Sequence, residues 1–173
     1  ANIQNLPWVC GGCSDERGFS EGSQPMGIFR PVHLIVTNDI RIEPFGVHAW
    51  ADIKNNTADL WTNTTLKNYS SQNKTVEVVS QLNNAQGKTI ASFSAKQLLK
   101  PRDSVALLST AIKVANPKLW SVENPYLYKV VTLIKENNII IDKLETDFGF
   151  RTINWKNATN QFVLNGKPVF LNG

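Results

Sequence analysis

The amino-acid sequence predicts an all-β fold, a sandwich of antiparallel strands with almost no helix. The middle of the 173-residue chain is a succession of short segments in which apolar and polar residues alternate. Asn, Gly, Pro and Lys residues interrupt these segments about every 8 to 14 residues, and no window of about 12 residues has the apolar period of a helix. The composition, 42% hydrophobic and 18% charged, is typical of one packed domain with short flanking pieces.

The first strands are predicted between asparagine-rich turns, at residues 46–53, 58–66, 74–82 and 88–94. Leu60 and Leu66 are expected to point into the core. The third of these segments alternates most clearly, with Val76, Val78 and Leu82 on one face and polar residues on the other. The turn at residues 83–87 contains Asn and Gly, which tolerate positive φ angles and so favour a tight connection to the next strand.

The later strands are predicted at residues 103–114, 126–135 and 139–146. The first of them places four apolar residues on one face: Ala106, Leu108, Ile112 and Val114. About seven antiparallel strands in about 100 residues is the pattern of an immunoglobulin-like β-sandwich. Such sandwiches often hold a tyrosine whose hydroxyl bonds to a neighbouring corner of the chain. Either Tyr126 or Tyr128 can do this, and the alternation with Val130 favours Tyr128.

The flanking segments differ in character from the sandwich. Residues 1–27 are rich in Gly, Ser and Pro and predict an irregular N-terminal loop, whereas residues 31–37 predict one further strand. Towards the C-terminus, residues 161–164 and 167–171 predict a short hairpin around Asn165-Gly166, the strongest turn signal in the chain.

The charge and hydropathy patterns argue against two classes of partner. The net charge is +4, from 18 Lys and Arg against 14 Asp and Glu, and these residues are scattered along the chain. A nucleic-acid surface needs clustered basic residues with interleaved aromatic residues, so no nucleic acid is expected as a partner. No apolar run approaches the roughly 18 to 20 residues of a membrane span, so no membrane is expected either.

The residues that carry enzyme chemistry are too few for a catalytic centre. Cys10 and Cys13 form a CxxC pair, but the further ligands of a zinc site and the strand and helix of a redox motif are missing. The sequence does not decide whether the two cysteines form a disulfide. His33 and His48 have apolar neighbours and are expected to be partly exposed strand residues. The acids fall mostly at turns or solvent-facing positions, among them Glu77, Asp103, Glu136 and Asp142. We therefore predict no catalytic residue, no metal site and no cofactor in this chain.

The tryptophans and the sequon asparagines each allow a functional and a structural interpretation. Indole rings stack on sugars, yet the tryptophans at 50, 61, 120 and 155 lie in different segments, which favours packing in the core or against another domain. Five asparagines lie in N-x-[ST] sequons and are expected to be unmodified surface residues: Asn55, Asn63, Asn68, Asn73 and Asn157.

Three passages match the signatures of one known family in the same order. Residues 26–34, M-G-I-F-R-P-V-H-L, resemble the G-I-[FWY]-R-x-V-x-L signature that closes a jelly-roll sugar-binding domain. Residues 116–128, with P-K-L-W-S and P-Y-L-Y, resemble the P-x-L-W-S…P-x-L-Y segment of an immunoglobulin-like domain. Residues 148–171, with G-F-R and F-V-L-N-G-K-P-V-F-L, resemble the passage that leads into a catalytic barrel. Together they resemble glycoside hydrolase family two, the β-galactosidase and β-glucuronidase group.

The resemblance implies a three-part organisation. Residues 1–38 are expected to be the C-terminal tail of the jelly-roll sugar-binding domain, residues 39–149 the immunoglobulin-like domain, and residues 150–173 the entry to a TIM-barrel catalytic domain that is not present. The expected function is a non-catalytic scaffold between the sugar-binding and catalytic domains of a β-galactosidase-like enzyme that hydrolyses O-glycosidic bonds. The alternative from a different class is a stand-alone glycan-binding or adhesion module.

The resemblance also sets expectations for site residues and partners. The family's two catalytic glutamates belong to the barrel, so the chain is expected to be inactive alone. Glu21 lies roughly where some β-galactosidases place an acidic sugar contact and is the one candidate substrate-binding residue. The expected partners are the jelly-roll and TIM-barrel domains of the parent chain, its carbohydrate substrate and, through subunit contacts, a second copy. Four apolar residues are expected to be exposed, disordered, or buried against the sandwich or another copy: Phe162, Val169, Phe170 and Leu171.

Overall fold

The computed structural model describes residues 31–156 and 161–170. The chain divides between Val36 and Thr37 into two units, and residues 31–36 are the described part of the first. These residues are exposed and form no strand, so the strand predicted at residues 31–37 is wrong. A strand requires a partner for its backbone hydrogen bonds, and no described strand pairs with this segment.

The described part of the second unit consists of strands and their connections. The strands are β1 (Ile40–Lys54), β2 (Thr57–Asn68), β3 (Lys74–Asn83), β4 (Thr89–Leu99), β5 (Ser104–Leu108), β6 (Ile112–Ala115), β7 (Tyr128–Glu136), β8 (Ile139–Phe148), β9 (Ile153–Lys156), β10 (Gln161–Leu164) and β11 (Lys167–Pro168). The paired strands run antiparallel. Within residues 31–156 and 161–170 there is no helix, and hence none of membrane-spanning length and hydropathy.

Two larger sheets form a sandwich, and a small third sheet follows them in the chain. The strand order is β1-β2-β5 in the first sheet, where β6 also pairs with β2, and β4-β3-β7-β8 in the second. The chain therefore changes sheets between β2 and β3, between β4 and β5, and between β6 and β7. The third sheet has the order β11-β10-β9. The predicted all-β sandwich is confirmed, and the immunoglobulin-like label stays a prediction.

The core lies between the two larger sheets, because alternate side chains of each strand point inward. Every even-numbered residue of β2 is buried, including Leu60 and Leu66 as predicted. One cluster of buried side chains gathers around Leu66 and Ile134, and a second around Leu60 and Phe150. Burying each such side chain contributes about 1.5–3 kcal/mol, so these clusters are the main stabilising element of the sandwich.

Residues 103–114 form two strands rather than the one predicted. Both strands pair with β2. Residues 108 and 112 lie opposite residues 63 and 60 of β2, so the segment between β5 and β6 contains one residue more than the part of β2 that it faces. An extra residue reverses the alternation of side chains between the two faces. Ile112 and Val114 are buried as predicted, whereas the inward residues of β5 are Val105 and Leu107 and not the predicted Ala106 and Leu108.

Strand β1 begins at Ile40 rather than at residue 46, because a bulge interrupts its pattern. The register with β2 shifts between Ile42 and Val47. Within the bulge Phe45 has a φ of 56° and is exposed. Gly46 follows in a crowded position, where a Cβ atom would lie 2.6 Å from the Glu43 carbonyl oxygen. These non-alternating residues conceal the first part of the strand from a pattern-based prediction.

Asn68 connects the end of β2 to two neighbouring turns. Its buried side chain donates from Nδ2 to the carbonyl oxygens of Gln72 (2.8 Å) and Lys100 (3.0 Å). Its Oδ1 accepts from the backbone N–H and the hydroxyl of Ser70 at 2.9 and 2.7 Å. The prediction that all sequon asparagines are surface residues is therefore wrong for Asn68. Of the others, Asn55 and Asn73 are exposed, Asn63 is half-buried and Asn157 lies outside the described residues.

Candidate functional site

Two of the sequence motifs meet at one end of the sandwich. Leu119 forms an isolated parallel bridge with Phe150, and the Trp120 N–H donates to the Phe150 carbonyl oxygen at 2.8 Å. The connection that precedes β7 is thereby joined to the segment that follows β8. We refer to the contact region of residues 118–120, 149–152 and 165 as the motif junction.

A chain of aromatic rings holds the motif junction against the core. Tyr126, Tyr128, Phe150 and Phe148 form successive edge-on contacts with ring centroids 4.9, 5.1 and 4.9 Å apart. Such pairs contribute about 0.5–1.5 kcal/mol each beyond their burial. The rings therefore determine where the chain leaves the sandwich after β8.

The Tyr128 hydroxyl fastens the connection before β7. It accepts a hydrogen bond from the Lys118 backbone N–H at 2.8 Å, which confirms the preference for Tyr128 as the corner tyrosine. The Tyr126 hydroxyl instead accepts from the Ala85 N–H at 3.2 Å, in the turn between β3 and β4. Burial raises the pKa of the Tyr128 hydroxyl above its usual value, and the Lys118 hydrogen bond offsets this only in part.

Asn165 ties the C-terminal hairpin to the sandwich. Asn165 and Gly166 have φ angles of 49° and 78°, as the predicted Asn-Gly turn requires. The Asn165 Nδ2 donates to the Trp120 carbonyl oxygen at 2.8 Å, and its Oδ1 accepts from the Thr152 N–H at 2.9 Å. The Asn165 N–H donates to the Thr152 carbonyl oxygen at 2.9 Å. One turn residue thus contacts both other segments of the motif junction.

Two further residues pack on the Trp120 side chain. The Arg151 guanidinium lies 5.3 Å from the Trp120 ring centroid in a cation–π contact. A Cβ atom at Gly149 would lie 3.0 Å from the Trp120 Cβ and 3.2 Å from its Cγ, so only glycine fits there without a shift. The Gly-Phe-Arg motif therefore has a direct packing role at Trp120.

The small third sheet presents an apolar surface. Trp155 of β9 is 54% exposed and lies opposite Phe162 of β10. The expected exposure of the C-terminal apolar residues is met by Phe170, whereas Phe162 and Val169 are half-buried and Leu171 lies outside the described residues. The sequence does not predict β9, because only Ile153 and Trp155 alternate there.

Only some of the residues singled out in the sequence lie in the described part of the chain. Glu21, Cys10 and Cys13 lie outside the described residues. His48 is an exposed residue of β1, and His33 is exposed but not in a strand. Among the residues that the structure describes, no group of three or more His, Cys, Asp or Glu side chains is placed to hold a metal ion.

Several acidic residues form structural contacts. The Asp142 Oδ2 accepts from the Ile42 N–H at 2.7 Å and so links β8 to the bulge of β1. Glu136 forms a half-buried ion pair with Lys74 at 2.8 Å, between β7 and β3. Neither role follows from the sequence, because each depends on which strands become neighbours.

The strand register brings together two tryptophans from different segments. Trp50 of β1 lies opposite Trp61 of β2, and their rings stack with centroids 6.4 Å apart and planes 15° apart. Beside Trp50, a groove of about 360 Å³ runs between β1 and the end of β8, with Asp147 and Arg151 among its lining residues. No pattern in the sequence predicts this cluster, because both the pairing and the groove depend on tertiary structure.

Comparison with known proteins gives one consistent match. The family model described as glycosyl hydrolases family 2 matches residues 40–151. A β-glucuronidase of Formosa agariphila is 31% identical over 144 residues, which cover 83% of this chain and 14% of that protein. A β-galactosidase of Bacteroides ovatus is 32% identical over 148 residues, covering 85% and 17%. A solved glycosyl hydrolase family 2 member from Bacteroides cellulosilyticus superposes with a TM-score of 0.71 at 26% identity, covering 76% of this chain and 18% of that one. The chain thus spans less than a fifth of the length of these relatives.

Proposed function

The chain belongs to glycosyl hydrolases family 2, and on that premise we propose that it is the non-catalytic β-sandwich module of a β-glycosidase. In this proposal the parent is a β-galactosidase-like enzyme that hydrolyses O-glycosidic bonds in carbohydrates. The module acts as a scaffold, which keeps the sugar-binding and catalytic domains of the parent chain in a fixed relative position.

The coverage of the relatives supports this domain assignment. The matched segments make up only 14% and 17% of the two relatives, which leaves room in such proteins for the domains that perform catalysis. In this proposal residues 1–38 end the jelly-roll domain, residues 39–149 form the sandwich module and residues 150–173 lead into the TIM barrel. The proposal implies three kinds of partner for this chain: the other domains of the parent, the carbohydrate substrate of the parent, and a second copy of the parent.

The motif junction is the observation that carries the scaffold role. A scaffold has to hold the chain that leaves it in one direction, and a single flexible connection would not do so. Here the departing segment is held by the Trp120–Phe150 bond, by the aromatic chain and by the two side-chain bonds of Asn165. The segment that leads towards the proposed barrel is therefore fixed to the sandwich at several points.

Two carboxylates of β8 take part in surface ion pairs. Lys143 and Lys129 donate hydrogen bonds to Glu145 and lower its pKa. Asp147 also contacts Lys129, at 3.5 Å. These contacts fit a charged surface across neighbouring strands.

The proposal is tested in the parent enzyme. Removing residues 40–151 is expected to abolish turnover of a chromogenic β-galactoside, and unchanged turnover would refute the scaffold role. A milder variant, Asn165→Gly, keeps the turn but removes both side-chain bonds of the junction. It is expected to lower the temperature at which the parent loses activity. Asn137→Gly is the matched control, because Asn137 has a φ of 50° in the β7–β8 turn, away from the junction.

Glu21 enters the proposal as a sugar contact of the parent active site. Glu21→Gln is expected to raise KM for a β-galactoside and to leave kcat unchanged, since the residue binds substrate without taking part in bond cleavage. Asp15→Asn, a change of another acid in the same segment, is the control. Equal KM values for the Glu21→Gln variant and the unmodified parent would remove Glu21 from the site.

A further inference from the structure

The small sheet of β9, β10 and β11 carries apolar side chains on one face. Opposite residues of antiparallel strands share a face, and the register places Trp155 opposite Phe162 and Ile153 opposite Leu164. Continued by one residue, the register of β10 with β11 places Val169 opposite Phe162, to whose carbonyl oxygen the Val169 N–H donates at 2.9 Å. These five apolar residues therefore lie on one side of the small sheet, which we call the apolar face.

The apolar face is open to solvent along β9. Ile153 and Trp155 are 55% and 54% exposed, whereas Phe162 and Val169 are half-buried and Leu164, next to the turn, is buried. Neighbouring side chains that together present apolar surface to solvent mark a contact with another protein surface.

The opposite face of the small sheet differs in character. Asn154, Lys156 and Gln161 lie on it, and Val163, which also lies there, is only 3% exposed. Of the described residues on the apolar face only Lys167 is polar. The small sheet thus exposes its apolar surface on one side, and a partner that buries this surface has to pack on that side.

The motif junction holds the apolar face in one orientation relative to the sandwich. The Asn165 side chain bonds to the Trp120 carbonyl oxygen at 2.8 Å and to the Thr152 N–H at 2.9 Å. Because the small sheet is already fixed by these bonds, little conformational freedom is lost when a partner covers it.

The size of the apolar face indicates what kind of partner covers it. A stable interface between separate molecules buries about 800 Å² per partner. A whole aromatic side chain supplies about 150–250 Å², and the most exposed residues here offer about half of their surface, so the apolar face alone is too small for such an interface. A domain of the same chain needs less contact area, because a short connection gives it an effective concentration of roughly millimolar.

We propose that the apolar face is the docking surface for the catalytic domain that follows this module in the parent chain. The relatives leave room for such a domain, since the matched segments make up 14% and 17% of their length. This inference rests on the proposed function, which places the catalytic domain after residues 150–173. The docked surface of the catalytic domain is apolar, and it covers Ile153 and Trp155.

Photo-crosslinking in the full-length parent identifies what covers the apolar face. A photoreactive p-benzoylphenylalanine replaces Trp155, and in a matched control it replaces Lys156, the next residue of β9, which lies on the opposite face. We expect residue 155 to link to peptides that follow residue 173 in the same copy, and residue 156 to give none of these links. Mixing the parent with an isotope-labelled copy separates links within one copy from links between copies.

Oxidation of the native Trp155 by hydroxyl radicals measures its accessibility without a substitution. The side chain is expected to react at least about fivefold more slowly in the folded parent than in the folded 173-residue chain, because the centre of an interface is fully buried. Both proteins unfolded in urea provide the reference rate.

The proposal is overturned if Trp155 reacts at the same rate in both folded proteins, or if residue 155 gives no link to the segment that follows residue 173. Links to the segment before the module, links between copies, or equal links from residue 156 also overturn it. The scaffold role fails separately, if the parent without residues 40–151 keeps its turnover. The links of residue 155 in the intact parent do not depend on that result.

Discussion

Replacing Asn165 by glycine removes two side-chain hydrogen bonds from the motif junction and leaves the turn conformation available. The lost bonds are those to the Trp120 carbonyl oxygen (2.8 Å) and from the Thr152 N–H (2.9 Å). Each such bond contributes about 1 kcal/mol net, so opening of the small sheet should become easier by about 2 kcal/mol. Alanine at the same position adds about 1 kcal/mol, because the φ of 49° is unfavourable for a residue with a Cβ atom.

Amide hydrogen exchange at Val169 measures this opening. The Val169 N–H donates to the Phe162 carbonyl oxygen at 2.9 Å and is released when the small sheet opens. A change of about 2 kcal/mol corresponds to roughly 30-fold faster exchange for Asn165→Gly, and about 3 kcal/mol to more than 100-fold for Asn165→Ala. Asn137→Gly should leave the Val169 rate unchanged. Exchange within about threefold of the unmodified chain for both Asn165 variants would refute the role assigned to this residue.

Three further substitutions test the core and its margins. Asn68→Ala leaves buried carbonyl groups and the Ser70 amide without their partner, so urea unfolding should show a loss of about 2–4 kcal/mol; a loss below about 0.5 kcal/mol contradicts this role. Gly149→Ala places a Cβ atom 3.0 Å from the Trp120 Cβ and should cost about 1–3 kcal/mol, seen as a lower Tm; an unchanged Tm contradicts the packing assignment. Burial raises the pKa of Tyr128 in the folded chain, so the unfolded chain ionises first. The stability that Tyr128 contributes is complete below about pH 10, the usual tyrosine value, and is lost as pH rises through the folded-state pKa. Between pH 8 and pH 11 the free energy of unfolding, measured in urea, should therefore fall less for Tyr128→Phe than for the unmodified chain. Equal falls for the two proteins would contradict this role of Tyr128.

Much of the sandwich is predictable from local pattern. β2 and β3 lie where the sequence predicts strands. In β2 buried and less buried residues alternate without interruption, because a half-buried strand imposes a period of two on its side chains. The errors occur where this period is broken. An extra residue between β5 and β6 moves Ala106 and Leu108 to the outer face, and the bulge at Phe45 conceals the start of β1.

The candidate sites are predictable only in part, for a different reason. The motif segments stand out in the sequence, but the bonds of Asn165 to Trp120 and Thr152 join residues that are 45 and 13 positions apart in the chain. The stacking of Trp50 on Trp61 likewise follows from strand register. Asn68 lies in an N-x-[ST] sequon, which predicts a surface residue, yet it is buried because its side chain bonds to two neighbouring turns. Local sequence contains no record of these long-range neighbours.

We propose that this chain is a non-catalytic module and that hydrolysis takes place elsewhere in the parent. It is tested most directly by measuring release of the chromophore from a chromogenic β-galactoside, with the purified 173-residue chain and the full-length parent compared at equal molar concentration. We expect turnover by the parent and a rate at the buffer background for the chain alone. Turnover by the isolated chain above that background would contradict it.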